Sequence, residues 1–173
     1  KTYEYQILNC KIEIPTRRLY AHFCYYLLNV EKMNEAAKYL IGEHDFISFC
    51  AANHQAEETV RTIYEAQVTK NEEDIVTIRG SGFLYNMVRI IAGTLLKVGT
   101  GEWEPEHVKE VLEARNRKEA GQTAPAKGLT LVGIEYEREI PKEIIGRNEH
   151  WDAVLDQSKL ESDGISCVRI RFS

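Results

Sequence analysis

At 173 residues the chain can bury a sizeable core, as one domain or as a domain with an appendage. Hydrophobic content of 43% and charged content of 28% are those of an ordinary soluble globular protein, with no signal peptide, targeting tail or internal repeat in view. The net charge of −5 neither demands nor forbids an RNA partner, because the deficit is local: residues 135–163 hold nine acidic and four basic side chains, whereas 1–134 hold 18 and 16. Cys10, Cys24, Cys50 and Cys167 are scattered without a C-x-x-C, which excludes a disulfide or zinc framework and reads as the reduced thiols of a cytoplasmic protein.

Residues 2–9, TYEYQILN, are rich in β-formers and place Tyr3, Tyr5 and Ile7 on one face, which predicts a strand. Residues 10–28 are irregular and Tyr-rich, with Pro15 and the basic pair Arg17 and Arg18. A helix is expected after Asn29, a favourable N-cap, stopping at Gly42, a favourable C-cap residue. GEHDFISFC, 42–50, reads as a loop or a short helical turn. Along 58–69, Val60, Thr62, Tyr64, Ala66 and Val68 alternate with Arg61, Ile63, Glu65 and Gln67. A polar turn from Lys70 to Asp74 and a second strand over 75–80 complete a hairpin. An apolar helix around Arg89 comes next, then another with Pro105 in its first turn, reaching about Arg115. After the loop NRKEAGQTAPAK, a strand runs from Leu129 to Tyr136. The acidic tail closes with ISCVRIRF, whose alternation of Val168, Ile170 and Phe172 with arginines suggests an edge strand.

The order β, α, β, β, α with an extra helix, β predicts an α+β fold of ferredoxin-like type: an antiparallel sheet with helices on one face, spanning 1–137, followed by a divergent tail at 138–173. That architecture hosts many functions and names none.

Most informative is GSGFLYNMVRIIAGTLLKVG, residues 80–99. Leu84, Met87, Val88, Ile91, Leu95 and Val98 recur at the spacing of a helix with one buried face. Arg89 falls about 140° from Leu84 at ~100° per residue, on the flank of that stripe. A guanidinium there either runs its aliphatic stem over the apolar face, pairs with a carboxylate of this chain, or meets a functional anion. A membrane span is excluded, since the run is short and would hold arginine near mid-bilayer at ~2.5–3.5 kcal/mol or more.

The remaining motifs read more plainly. Gly80-Ser81-Gly82 lacks the third glycine of a dinucleotide fingerprint, with Tyr85 in its place, so small residues there let strand and helix approach closely. His22, His44, His54, His107 and His150 lack metal-ligand spacing. His44 beside Asp45 is an acid–base pair or, more commonly, a loop capped by Asp45. Tyr3 and Tyr5 are core or sheet-surface aromatics, or stacking platforms for an unstacked base. Leu129, after Lys127-Gly128, either packs in the core or lines the floor of a base pocket.

Five segments, KTYEYQILN, GEHDFISFC, VRTIYEA, GSGFLYNMVRIIAGTLLKVG and TAPAKGLTLVGIEY, stand in the order and at the distances that resemble the C-terminal part of the tRNA pseudouridine synthase A (TruA) family, over roughly residues 1–137. The resemblance implies an isomerase that turns uridine into pseudouridine in the anticodon arm of tRNA, without metal or organic cofactor, as a homodimer. It implies an aspartate nucleophile in an R-T-D-A-G context acting on a flipped-out uridine. It also implies that Arg89 forms a salt bridge with that aspartate, that Tyr3 packs on the uracil ring, and that Leu129 closes the apolar side of the pocket. Lys127 is then placed to help hold RNA.

The departure is equally specific. No R-T-D-A-G string occurs, and Asp45, Asp74, Asp152, Asp156 and Asp163 all stand in other contexts. The nucleophile is therefore expected upstream of Lys1, on a missing N-terminal half, and the chain is expected to be inactive alone. A non-catalytic RNA-binding module of the same fold is the alternative, weakened by the absence of an RNA-recognition signature. A small-molecule regulatory domain is a third reading.

Overall fold

The computed structural model describes residues 1–51, 58–70 and 74–135. Contacts divide the chain into two compact units, Lys1–Val132 and Gly133–Ser173, and the architecture that follows belongs to the first. The edge strand expected at 165–172 lies outside the described residues.

Alternation along β1 (Thr2–Asn9) sends Tyr5 and Ile7 into the core, where both are fully buried. β5 (Asp74–Gly80) runs antiparallel along one edge of β1, from Thr2 opposite Arg79 to Ile7 opposite Asp74. β4 (Val60–Lys70) pairs antiparallel with β5, as the hairpin pattern predicts. β6 (Leu129–Gly133) pairs with β1, giving the ferredoxin-like succession β6-β1-β5-β4. α1 (Val30–Lys38) packs on β4, and α2 (Met87–Gly99) packs on β1 and α1. α3 (His107–Ala114) adds Val108 and Val111 to the same core.

Local chemistry fixes the helix limits. Asn29 caps α1 by accepting the Lys32 N–H at 3.0 Å. The helix ends at Lys38, not at Gly42. Gly42, at φ +109°, instead opens a strand, a backbone state that favours glycine. α2 begins at Met87, and all six residues of the expected apolar stripe are buried. Ile90, Ala92 and Thr94 are buried as well, and the loop before β6 packs on the helix at Gly93 and Thr94.

Two strands and one bulge depart from the sequence reading. His22–Cys24 in the irregular segment forms β2, which lies parallel to Ile7–Asn9 and so brings a parallel pair into the sheet. Gly42–Asp45 forms β3, antiparallel to β4, in place of a loop. Within β4 the register slips between Ile63 and Glu65, leaving Tyr64 as an extra residue. The slip reverses the phase: Ile63, Ala66 and Val68 are buried, while Tyr64 stays 54% exposed. Unbroken alternation would have put Tyr64 on the same face as Ala66 and Val68.

That reversal has a measurable signature. Ile63→Ala is expected to cost about 2–5 kcal/mol and Tyr64→Ala under about 1 kcal/mol in urea denaturation. The opposite ranking would mean that the alternation runs through without a bulge.

Candidate active site

β5 delivers the chain to α2 through a tight corner. At Gly80 an added Cβ would stand 2.8 Å from the Thr62 carbonyl oxygen, so only glycine fits. The Ser81 N–H donates to that same carbonyl at 2.9 Å, and the Ser81 hydroxyl accepts from the Thr62 N–H at 3.2 Å. The small residues thus serve close packing of the two strands. Beyond the corner, the half-buried Phe83 meets Tyr3 edge to face, ring centroids 5.2 Å apart at 86°. Tyr3 projects on the same face of β1 as Tyr5, and it packs against the rim of the core.

Asn86 precedes α2 in the left-handed region at φ 59°, a conformation Asn tolerates better than most residues. Its Oδ1 accepts from Arg89 Nη1 at 3.0 Å. Arg89 Nε donates to the Ala124 carbonyl at 2.7 Å, and the Ala124 N–H donates back to the Arg89 carbonyl at 3.1 Å. The guanidinium is half-buried and is met by two neutral oxygens. Among the described residues no carboxylate pairs with it. Nη2 has no hydrogen-bond partner among the described residues.

Ala124 belongs to a strap, residues 120–128, that lies between α2 and β1. The Tyr5 hydroxyl, inside the core, donates to the Pro125 carbonyl at 2.8 Å. Burial pushes its pKa well above the ordinary phenol value, opposed in part by the nearby Arg89 charge, so it stays a neutral donor. Where the strap becomes β6, Leu129 packs against the core beside β1. Tyr3, Leu129 and Arg89 are therefore tied to one strand–strap–helix unit. Lys127 is exposed, its Nζ 3.8 Å from Glu13, and its charge bears on His22 in β2.

Sequence reasoning did not single out Phe83, Asn86 or the anchoring role of Tyr5. The signal for Asn86 was present, an Asn directly before an apolar helical run, whereas the hydroxyl bond of Tyr5 spans 120 residues and leaves no local trace. Asp45 caps a loop: Oδ1 accepts from the Ile47 N–H at 3.1 Å and the Thr59 hydroxyl at 2.6 Å, and Oδ2 pairs with Arg115 at 2.6 Å. His44 Nε2 bonds the Ile41 carbonyl instead. Among the described residues no group of three or more His, Cys, Asp or Glu is placed to hold a metal, and no helix is long and apolar enough to cross a membrane.

Fold and site together define an α+β domain of ferredoxin-like type that presents an arginine and an aromatic pair where β1, the strap and α2 meet. A sequence profile described as tRNA pseudouridine synthase matches residues 36–137. tRNA pseudouridine synthase A of Bacillus subtilis (strain 168) is 51% identical over 138 residues, which covers 79% of this chain and 56% of that protein. The proteins of the same name from Bacillus pumilus (strain SAFR-032) and Thermoanaerobacter sp. (strain X514) are 50% and 47% identical over 140 and 137 residues, with the same shares covered. The chain belongs to the tRNA pseudouridine synthase family, and it spans 56% of the length of these relatives.

His22 gives the site's surroundings a pH dependence. Burial first, and the Lys127 charge second, lower its pKa below the ordinary 6.5. As pH falls through 6.5 the unfolded chain takes up the proton before the folded one, so folding stability drops over that range. In urea titrations at about pH 7.5 and about pH 5.5, the native chain is expected to lose more stability on acidification than His22→Gln. Equal losses would show that His22 titrates alike in both states.

Proposed function

We propose that the chain forms the arginine- and aromatic-bearing wall of the uridine site in a tRNA pseudouridine synthase, an isomerase acting on the anticodon arm of tRNA. The observation that carries this reading is the half-buried guanidinium of Arg89, held at Nε and Nη1 by neutral oxygens, with no hydrogen-bond partner for Nη2 among the described residues. Neutral acceptors orient a guanidinium but leave its charge uncompensated, and an uncompensated charge in a part-buried place favours an arriving anion. In this reading the anion is the nucleophilic aspartate, supplied by polypeptide outside these 173 residues. Arg89 keeps that carboxylate ionised and aimed through a charge-assisted hydrogen bond.

The isomerisation exchanges the N1–C1′ bond of uridine for a C5–C1′ bond; C5 gives up its proton to solvent and N1 takes one up. The base must leave its stack to be reached, and flat apolar surfaces substitute for the lost stacking. Tyr3, braced edge-on by Phe83, takes one face of the uracil, and Leu129 closes the other. Lys127 contributes charge toward the RNA backbone. Homodimeric assembly of the longer protein belongs to the same reading. Ile12, Leu19, Tyr25, Tyr26 and Leu27, each more than 60% exposed, support a further contact surface on the β2 side.

Tritium release from C5-labelled uridine in unmodified tRNA tests the reaction. The 173-residue chain is expected to release none, and the longer protein containing it to release label. Arg89→Ala in the longer protein is expected to abolish release with little loss of tRNA affinity, with folding checked by circular dichroism because removing one partner of a buried ion pair costs ~3–5 kcal/mol. Release by the folded variant at the native rate would remove Arg89 from the chemistry. Tight tRNA binding by the longer protein without any release would favour a non-catalytic RNA-binding module.

A further inference from the structure

Arg117 stands just before the strap, three residues beyond α3, in a place where no ion pair among the described residues explains it. Its Nη1 donates to the Gly121 carbonyl at 2.9 Å and, more weakly, to the Ala120 carbonyl at 3.4 Å. Its Nη2 donates to the Thr123 hydroxyl at 3.2 Å. One guanidinium thus gathers three acceptors from four consecutive residues, a fork that lysine cannot reproduce. From the other side, Thr94 of α2, buried to 1% exposure, accepts the Gly121 N–H at 2.9 Å while donating to the Ile90 carbonyl at 2.8 Å. Gly93 leaves room for this docking, since a Cβ there would collide with the Gln122 carbonyl. The next residue after Thr123 is Ala124, whose carbonyl holds Arg89 Nε.

We propose that Arg117 is a positioning residue for the uridine isomerisation: by fixing the peptides from Ala120 to Thr123 against Thr94, it sets the direction in which the Ala124 carbonyl points Arg89. The inference rests on the role given to Arg89 above. A loop that needed only to be closed could be closed by neutral groups. A half-buried guanidinium with carbonyl and hydroxyl partners costs desolvation, and that cost secures a rigid multi-point clamp. Rigidity matters because an arginine aimed about 1 Å away from its carboxylate loses on the order of 100-fold in rate, while contacts to tRNA elsewhere are untouched.

The test uses the longer synthase for turnover and the 173-residue chain for strap order. Arg117→Met is expected to lower kcat on the order of 10–100-fold with KM for tRNA within about twofold, and Arg117→Lys to recover part of the loss. In the chain itself, amide exchange at Gly121 and Ala124 is expected to accelerate in Arg117→Met while the Met33 amide, bonded to Asn29 in α1, keeps its rate. An unchanged kcat in Arg117→Met, in an enzyme that Arg89→Ala inactivates, would overturn the positioning role alone. A normal kcat in folded Arg89→Ala would overturn the reading on which it rests, and the proposal with it. Acceleration at Met33 as large as at Gly121 would reduce Arg117 to general stability and overturn the proposal as well.

Discussion

The reciprocal pair of hydrogen bonds between Arg89 and Ala124 is the constraint on which this end of the molecule depends. Each residue serves the other through its backbone, and the arginine adds its Nε, so helix and strap are locked side by side at one point. From that point the strap reaches Tyr5 through Pro125, Thr94 through Gly121, and β1 through Leu129. Without it, α2 would expose a second apolar face, and Arg89 would lose the contact that fixes its stem. The sheet supplies the platform, but the strap decides where the guanidinium looks.

This arrangement separates two demands usually placed on one partner. Neutral oxygens define the direction of the guanidinium, and among the described residues no carboxylate meets its charge. On the proposed reading, a site prepared in this way reorganises little when the carboxylate arrives, which is the condition under which a fixed charge is most effective. The aromatic wall follows the same economy. On the same reading, Tyr3 is already braced by Phe83, so its ring does not wait for the base to order it.

The parts of this structure legible in the sequence are those whose cause is local. The stripe from Leu84 to Val98, the Asn29 cap and the β4–β5 hairpin each follow from residues within one or two turns of one another. The five family segments carried the family itself. Short edge strands escaped notice because three or four residues, such as His22–Cys24 or Gly42–Asp45, are too few to display a period. The bulge at Tyr64 escaped because an alternation interrupted once still looks like an alternation. The partner of Arg89 escaped for a different reason. It is a main-chain carbonyl 35 residues away, and every residue type carries one.

The length of these connections bears on how the protein is made. Tyr5 enters the chain 120 residues before the carbonyl it bonds, and the face of α2 that carries Gly93 and Thr94 is complete before the strap that covers it exists. During synthesis β1 to β5 and the first two helices can assemble, but one side of α2 remains bare until Gly121 and Ala124 emerge. Closing so distant a contact is slow relative to local structure, and apolar surface waiting for it is open to wrong partners. The strap that holds the arginine is therefore, with β6 behind it, among the last pieces to cover the core of residues 1–132.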